Sequence, residues 1–180
     1  MALTRINNNS LSAVTSAGIP VLTSGNLPAG SMIQTVKTSR TGKQTITSTS
    51  YVDLTGLATS ITIAKTGSTL MFTCPLYTET DGGGGHGVCR LLVSTSGSAG
   101  TYTTTVGNYS VTGANNNSIG FGFVDYWDHG YSAGTTLYFK VQYRVSNPDQ
   151  HDTADDGPSG GGSETPTPRT YLMINEIAGP

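Results

Sequence analysis

Charge is scarce in this chain. Only 11% of its residues are Asp, Glu, Lys or Arg, and the formal net charge is −2. A protein that holds nucleic acid meets the phosphates with a field of Lys and Arg, and nine such residues outnumbered by eleven acids do not make one. A basic amphipathic helix is missing too, so no membrane-surface helix is expected. No apolar run approaches the ~20 residues of a membrane span. The stretch Met1-Ala2-Leu3-Thr4-Arg5-Ile6-Asn7-Asn8-Asn9 lacks the apolar centre of a secretory signal. We therefore expect no membrane insertion and no export by that route. A free cytosolic monomer normally stays dissolved through its charges, so this composition suits a protein that works inside an assembly.

The residues of catalysis are also few. Cys74 and Cys89 are the only cysteines. Leu70, Phe72 and Leu76 share the face of Cys74, and Leu91 and Val93 that of Cys89, so both thiols are expected to point inward. Two buried free thiols is the plainer reading. The spacing leaves a cross-strand disulfide open, but no further Cys or His stands at the spacing of a zinc site. His86, His129 and His151 fall in turn-like segments and join no visible triad, and no Gly-x-Ser-x-Gly elbow is present. The glycine run Gly82–Gly87 lacks the Lys-Ser/Thr and the following helix of a phosphate loop. The reading is of no enzyme and no cofactor.

Gly, Ser, Thr and Asn dominate instead, a composition of strands and turns. The clearest pattern runs over residues 134–145, where Leu137, Phe139, Val141, Tyr143 and Val145 alternate with Tyr138, Lys140, Gln142 and Arg144. Successive strand side chains take opposite faces, so this is a central strand with one apolar face that needs a second sheet. Further strands are expected at Met32–Thr38, Gln44–Leu54 (broken by Gly56), Thr59–Ala64, Thr69–Thr78, Gly87–Thr95, Thr101–Val106, Asn108–Thr112, Ser118–Tyr126 and Thr170–Ile177. Roughly eight to ten short strands separated by turn residues, with no helix, predict an all-β, two-sheet β-sandwich. The long reach from Val145 to Thr170 favours a jelly-roll-like order over a simple meander.

Residues 1–30 follow another rule. Leu3, Ile6, Leu11, Val14, Ile19, Val21 and Leu22 are scattered among Asn, Ser and Thr with no sustained period. They read as an extended N-terminal arm, residues 1–30, that orders on a partner, ahead of a sandwich domain, residues 31–180.

Several stretches in their order resemble a known family. Gly30-Ser31-Met32-Ile33-Gln34-Thr35-Val36 precedes Ser48-Thr49-Ser50-Tyr51-Val52-Asp53-Leu54-Thr55-Gly56-Leu57 and Ser60-Ile61-Thr62-Ile63. Tyr138-Phe139-Lys140-Val141-Gln142-Tyr143-Arg144 comes later, and Tyr171-Leu172-Met173-Ile174-Asn175-Glu176-Ile177-Ala178-Gly179 closes the chain. Over about residues 30–180 this resembles the β-sandwich module of tailed-bacteriophage virion proteins, especially aquatic ones, often labelled tail-fibre domains. The resemblance implies a phage structural protein, usually trimeric, and carries over no catalytic residues. Fibre proteins of that kind usually join the module to a long N-terminal region or a repetitive shaft. An arm of about thirty residues fits a capsid cement protein better.

The expectation is thus a non-enzymatic virion structural protein, made in the host cytoplasm. It would be a homo-oligomeric, trimeric cement or decoration protein on the capsid surface, with itself and the major capsid protein as partners. The alternative is a short tail fibre or receptor-binding protein, joined to tail proteins and recognising host-surface glycans. A glycan site would be placed at Asp125, Tyr126, Trp127, Asp128, His129 and Tyr131, where aromatics and carboxylates are densest. The plainer reading of the same aromatics is packing at a subunit interface or under a loop. Asp125 and Asp128 on one strand end do not establish a glycosidase pair across a groove. Residues 147–169 read as a long loop whose Asp/His cluster lacks calcium-loop spacing.

Overall fold

A computed structural model describes residues 27–40, 42–81, 86–97, 102, 104–112, 118–147, 151–155 and 170–180. The arm residues Leu3, Ile6, Leu11, Val14, Ile19, Val21 and Leu22 lie outside this set, as do the Gly82–Gly85 tip and residues 156–169. The described strands are β1 (Met32–Ser39), β2 (Gln44–Ile46), β3 (Val52–Thr62), β4 (Thr69–Asp81), β5 (His86–Ser94), β6 (Thr104–Thr112), β7 (Ser118–Trp127), β8 (Thr136–Val145), β9 (His151–Asp155) and β10 (Tyr171–Ile177). Among the described residues there is no helix.

The pairings define a rolled hairpin. Its tip is the antiparallel pair β5–β6, and its two arms then pair step by step: β4 with β7, β3 with β8, β1 with β10. Alternate pairs fall on opposite sheets. The first sheet has the order β1-β10-β4-β7 and the second β3-β8-β5-β6. This nested order of eight strands in two sheets is a jelly roll. The short strands β2 and β9 extend the first sheet: β9 pairs with the far half of β4, beyond β10, and β2 pairs with β9.

The core lies between the sheets. β8 behaves as its alternation demands: Leu137, Phe139, Val141, Tyr143 and Val145 are buried, and the intervening residues are half-buried on the outer face. Facing them from the first sheet are Leu70, Phe72, Cys74 and Leu76 of β4 with Leu172 and Ile174 of β10. Phe139 meets Phe72 at 5.2 Å between ring centroids and Trp127 at 6.2 Å. Gly87 admits Tyr143 from the next strand, since a Cβ there would stand 1.6 Å from the phenol oxygen. Cys74 and Cys89 are both buried and free. Burial pushes both thiols up, Cys89 to about 12, so neither is a nucleophile at neutral pH.

Four sequence expectations change. The strand expected over Gln44–Leu54 is two, with β2 in the first sheet and β3 in the second. Between them Ser48 Oγ accepts the Ser50 N–H at 3.0 Å, a local bond that replaces a ladder bond and lets the chain change layers. Gly56 does not end a strand. It sits within β3 at φ +84°, where the pairing jumps from Asp53↔Gln142 to Ala58↔Lys140. That bulge wraps the buried Arg40, whose Nη1 donates to the Thr55 carbonyl at 2.9 Å and to Gln44 Oε1 at 2.8 Å. The two weak strands expected around Gly107 are one, β6, with a register shift opposite Leu91/Leu92. Residues 147–169 contain β9, a polar strand held by ladder bonds to β4 and β2 rather than by any pattern of its own.

At the N-terminal boundary, Gly30 N donates to Ala178 O at 2.7 Å and Ala178 N to Ser31 O at 2.8 Å. Residues just before β1 are thus tied to the end of β10.

Candidate functional site

The cluster singled out by sequence divides when placed on the fold. Along β7 the side chains alternate, so Asp125 and Trp127 turn toward the core side while Tyr126 points out and is 62% exposed. Trp127, His129 and Tyr131 do come together, with ring centroids 5.9–6.1 Å apart. They pack on the core through Phe139. Both carboxylates are engaged. Asp125 accepts the Tyr109 hydroxyl at 2.7 Å and the Tyr126 N–H at 2.8 Å, and Asp128 accepts the Thr69 hydroxyl at 2.6 Å. Tyr109 also stacks on Phe123 at 3.8 Å, and burial together with Asp125 pushes its phenol up. Among the described residues each carboxylate of the cluster is thus hydrogen-bonded, and Trp127 packs on the core through Phe139.

Beneath this cluster lies a buried polar group that the sequence reading left unassigned. Glu176 alternates with Leu172 and Ile174 and therefore points inward, at the end of the sandwich. Its carboxylate accepts the Ala64 N–H at 3.0 Å, the Lys65 N–H at 2.9 Å, the Ser68 hydroxyl at 2.7 Å and the Gln34 amide. These donors belong to β1 and the β3–β4 turn, so one side chain ties the edge of the first sheet to the turn that leads into β4. Burial pushes the carboxyl up, but the hydrogen bonds from Ser68, Gln34, Ala64 and Lys65 outweigh it and hold the group below its ordinary value.

His129 adjoins this group. The Tyr131 N–H donates to Nδ1 at 2.9 Å, which leaves the imidazole proton on Nε2, 3.3 Å from Ser68 Oγ. Ser, His and carboxylate are therefore adjacent, yet wired against catalysis. The carboxylate receives the Ser68 proton instead of orienting the imidazole, the nitrogen that would act as base faces a backbone N–H, and Ser68 is buried. Burial keeps the imidazole below its ordinary 6.5 despite the pull of Glu176 and Asp128 in the other direction. A base held neutral in this way contributes stability in full above that ordinary value and loses it as pH falls toward the folded value. Melting temperatures measured from pH 8 to pH 5 are expected to fall below about pH 6.5 in the parent protein. In His129→Gln they should stay level across that window.

The outer face of the second sheet carries a connected polar and aromatic ladder. Arg144 lies 5.3 Å from the centroid of Tyr51, and Arg90 lies 3.9 Å from the same ring. Arg90 donates through Nε and Nη2 to Gln142 Oε1, at 2.8 and 2.6 Å. Gln142 donates to Asp53 Oδ1 at 2.6 Å, and Lys140 reaches the same carboxylate at 2.9 Å. Lys140 also stands 4.6 Å from the centroid of Tyr102. Burial raises the Asp53 carboxyl, but hydrogen bonds from Gln142 and Lys140 leave it below the usual range. The alternation of β8 marked Tyr138, Lys140, Gln142 and Arg144 as the wet face. Their partners come from β3 and β5, and the pairing register brings them there.

The outer face of the first sheet is different. Val124 and Tyr126 are each 62% exposed, and Met32 is 59% exposed. Pairing sets Tyr126 beside Met71, and Met71 beside Asn175; in the next row Val124, Thr73 and Met173 are neighbours. Asn175 is only 1% exposed. Its Oδ1 accepts the Thr35 hydroxyl at 2.7 Å, and its Nδ2 donates to nothing among the described residues. Among the described residues no group of three or more His, Cys, Asp or Glu could hold a metal ion.

The fold and these surfaces define a jelly roll with a buried polar clasp, an apolar outer face on one sheet and a cationic, aromatic outer face on the other. No protein family and no curated protein matches the sequence. Among solved structures, the chain is similar to one described as infectious bursal disease virus Gt strain. Identity is 11% and the TM-score 0.42, over 84% of this chain and 39% of that one. It is also similar to the VP2 subviral particle of infectious bursal disease virus, at 12% identity and a TM-score of 0.38, over 82% of this chain and 37% of that one. The chain therefore spans well under half the length of the structures it matches. The jelly roll is assigned from its own strand pairings.

Proposed function

We propose that this chain is a non-enzymatic structural component of a virus particle: a homo-oligomeric cement protein on the capsid exterior of a tailed phage. The observation that carries the reading is the apolar outer face of the β1-β10-β4-β7 sheet. Val124, Tyr126 and Met32 stand exposed there, beside a buried Asn175 amide that has no acceptor among the described residues. In a chain with so little charge, such a face is made to be covered. Copies of the same chain cover it, as a trimer, and the arm of residues 1–30 laces the trimer to the major capsid protein. The jelly roll agrees with this reading, being an architecture that serves viral capsids, and the resemblance to phage virion modules agrees with it as well.

The test is the copy number in purified particles, by quantitative mass spectrometry against the major capsid protein. A ratio near one, or one per few shell subunits, supports the cement reading. A few per cent or less overturns it in favour of the short tail fibre or receptor-binding protein, and absence from the particle overturns both. Within the same experiment, a Val124→Glu, Tyr126→Glu variant is expected to fold as the parent does, by circular dichroism, and to be lost from the trimer and the particle.

A further inference from the structure

The ladder on the outer face of the second sheet holds more cationic than anionic groups among its described residues: Arg90, Lys140 and Arg144 against Asp53. Lys140 is matched by Asp53 at 2.9 Å. Arg90 spends Nε and Nη2 on Gln142 and its charge also acts on the Asp53 carboxylate, while Nη1 makes no hydrogen bond among the described residues. Arg144 makes neither an ion pair nor a side-chain hydrogen bond among the described residues, and its guanidinium lies 5.3 Å from the centroid of the Tyr51 ring. Two guanidinium groups thus stand within 5.3 Å of one ring centroid, on diagonal positions of β5 and β8, and Arg144 has no carboxylate partner among the described residues. Like charges so placed repel, and an oxyanion that bridges their N–H groups relieves the repulsion with charge-assisted hydrogen bonds. The arrangement is also braced: Asp53 holds Gln142, Gln142 holds Arg90, and Arg90 lies on Tyr51.

We propose that this face binds an acidic oligosaccharide, with a carboxylate or sulfate of the sugar held between Arg90 and Arg144 beside Tyr51. The surroundings favour a sugar over other anions. Half-buried phenol rings at Tyr51, Tyr102 and Tyr138 offer apolar faces and hydroxyls for a pyranose, and Asp53, 58% exposed, offers an acceptor for its hydroxyl groups. A nucleic-acid backbone needs a row of free cations, and among the described residues of this face only Arg144 is without a side-chain hydrogen bond or ion pair, in a chain of net charge −2. The proposal does not rest on the capsid reading, because it concerns the isolated protein.

The test is a titration of the purified protein, followed by NMR or calorimetry at low ionic strength. The probes are 3′-sialyllactose as the carboxylate, a sulfated chondroitin disaccharide as the sulfate ester, lactose as the neutral control and a short oligothymidylate. At least one acidic sugar is expected to bind about tenfold or more tightly than lactose, and which one it is separates carboxylate from sulfate. Arg144→Ala and Arg90→Gln should each weaken that binding about tenfold, with Arg144→Lys intermediate because it keeps the charge without the fork. Failure of both acidic sugars to outbind lactose would overturn the proposal, as would equal binding by Arg144→Ala. Tighter binding of the oligothymidylate than of either sugar would also overturn it, in favour of a phosphate-backbone contact.

Discussion

Replacing Glu176 with alanine is expected to destabilise the fold by about 3–5 kcal/mol, because the carboxylate satisfies several donors at once. Its removal strands the backbone N–H groups of Ala64 and Lys65, the Ser68 hydroxyl and the Gln34 amide at a site that water does not reach. Against a typical total of about 5–15 kcal/mol, that is a large share of the whole margin. Glu176→Gln is expected to be nearly as harmful. Every neighbour donates, so an amide must turn its own N–H toward another donor. Urea unfolding of the two variants measures the effect, and a loss below about 1 kcal/mol in both would show that the clasp is not structural. The same group sets acid stability. Its folded value lies below the ordinary 4.5, so its contribution is complete above that pH and disappears as pH falls through the folded value. The parent should show this loss in acid, and Glu176→Gln should lack it.

Phe139→Ala is expected to cost about 3–5 kcal/mol through the cavity it leaves. The ring is fully buried at the centre of β8 and is held between Phe72 of the facing sheet and Trp127 of β7. Neither neighbour can fill the space, since each is fixed by its own strand. The indole reports the change: Trp127 fluorescence in the folded variant should shift to longer wavelength as water gains access to it. An unshifted spectrum with near-parental stability would refute the central role given to this contact.

The sandwich was legible because β8, β4 and β10 alternate large apolar residues with polar ones, a pattern that only a two-sheet core satisfies. Other features came from partners that no local window contains. β9 is a strand because β4 and β2 supply its ladder, although His151, Asp152 and Asp155 argue for a loop. Gly56 resembles a strand breaker, and its true task, a bulge around Arg40, depends on a residue from another turn. In the aromatic cluster the residue types were visible, but adjacency in sequence concealed that Tyr126 and Trp127 lie on opposite sides of β7. The parity of Glu176 with Leu172 and Ile174 already said that it points inward. The donors that make this tolerable sit on a turn about a hundred residues away in sequence, and only the fold brings them near.

The nested pairing also governs how the molecule is made. β10 lies between β1 and β4, and Met32 pairs with Ile177. A growing chain therefore keeps its first sheet open until residues 171–177 have left the ribosome, with β1 unpartnered and the place of Leu172 and Ile174 empty. Closure needs contacts between the most distant strands, so folding belongs to the slow class of β topologies, about milliseconds to seconds. Products truncated before β10 leave β1 without its ladder partner and the adjoining edge of β4 open. A closed first sheet is in this way restricted to chains translated through β10.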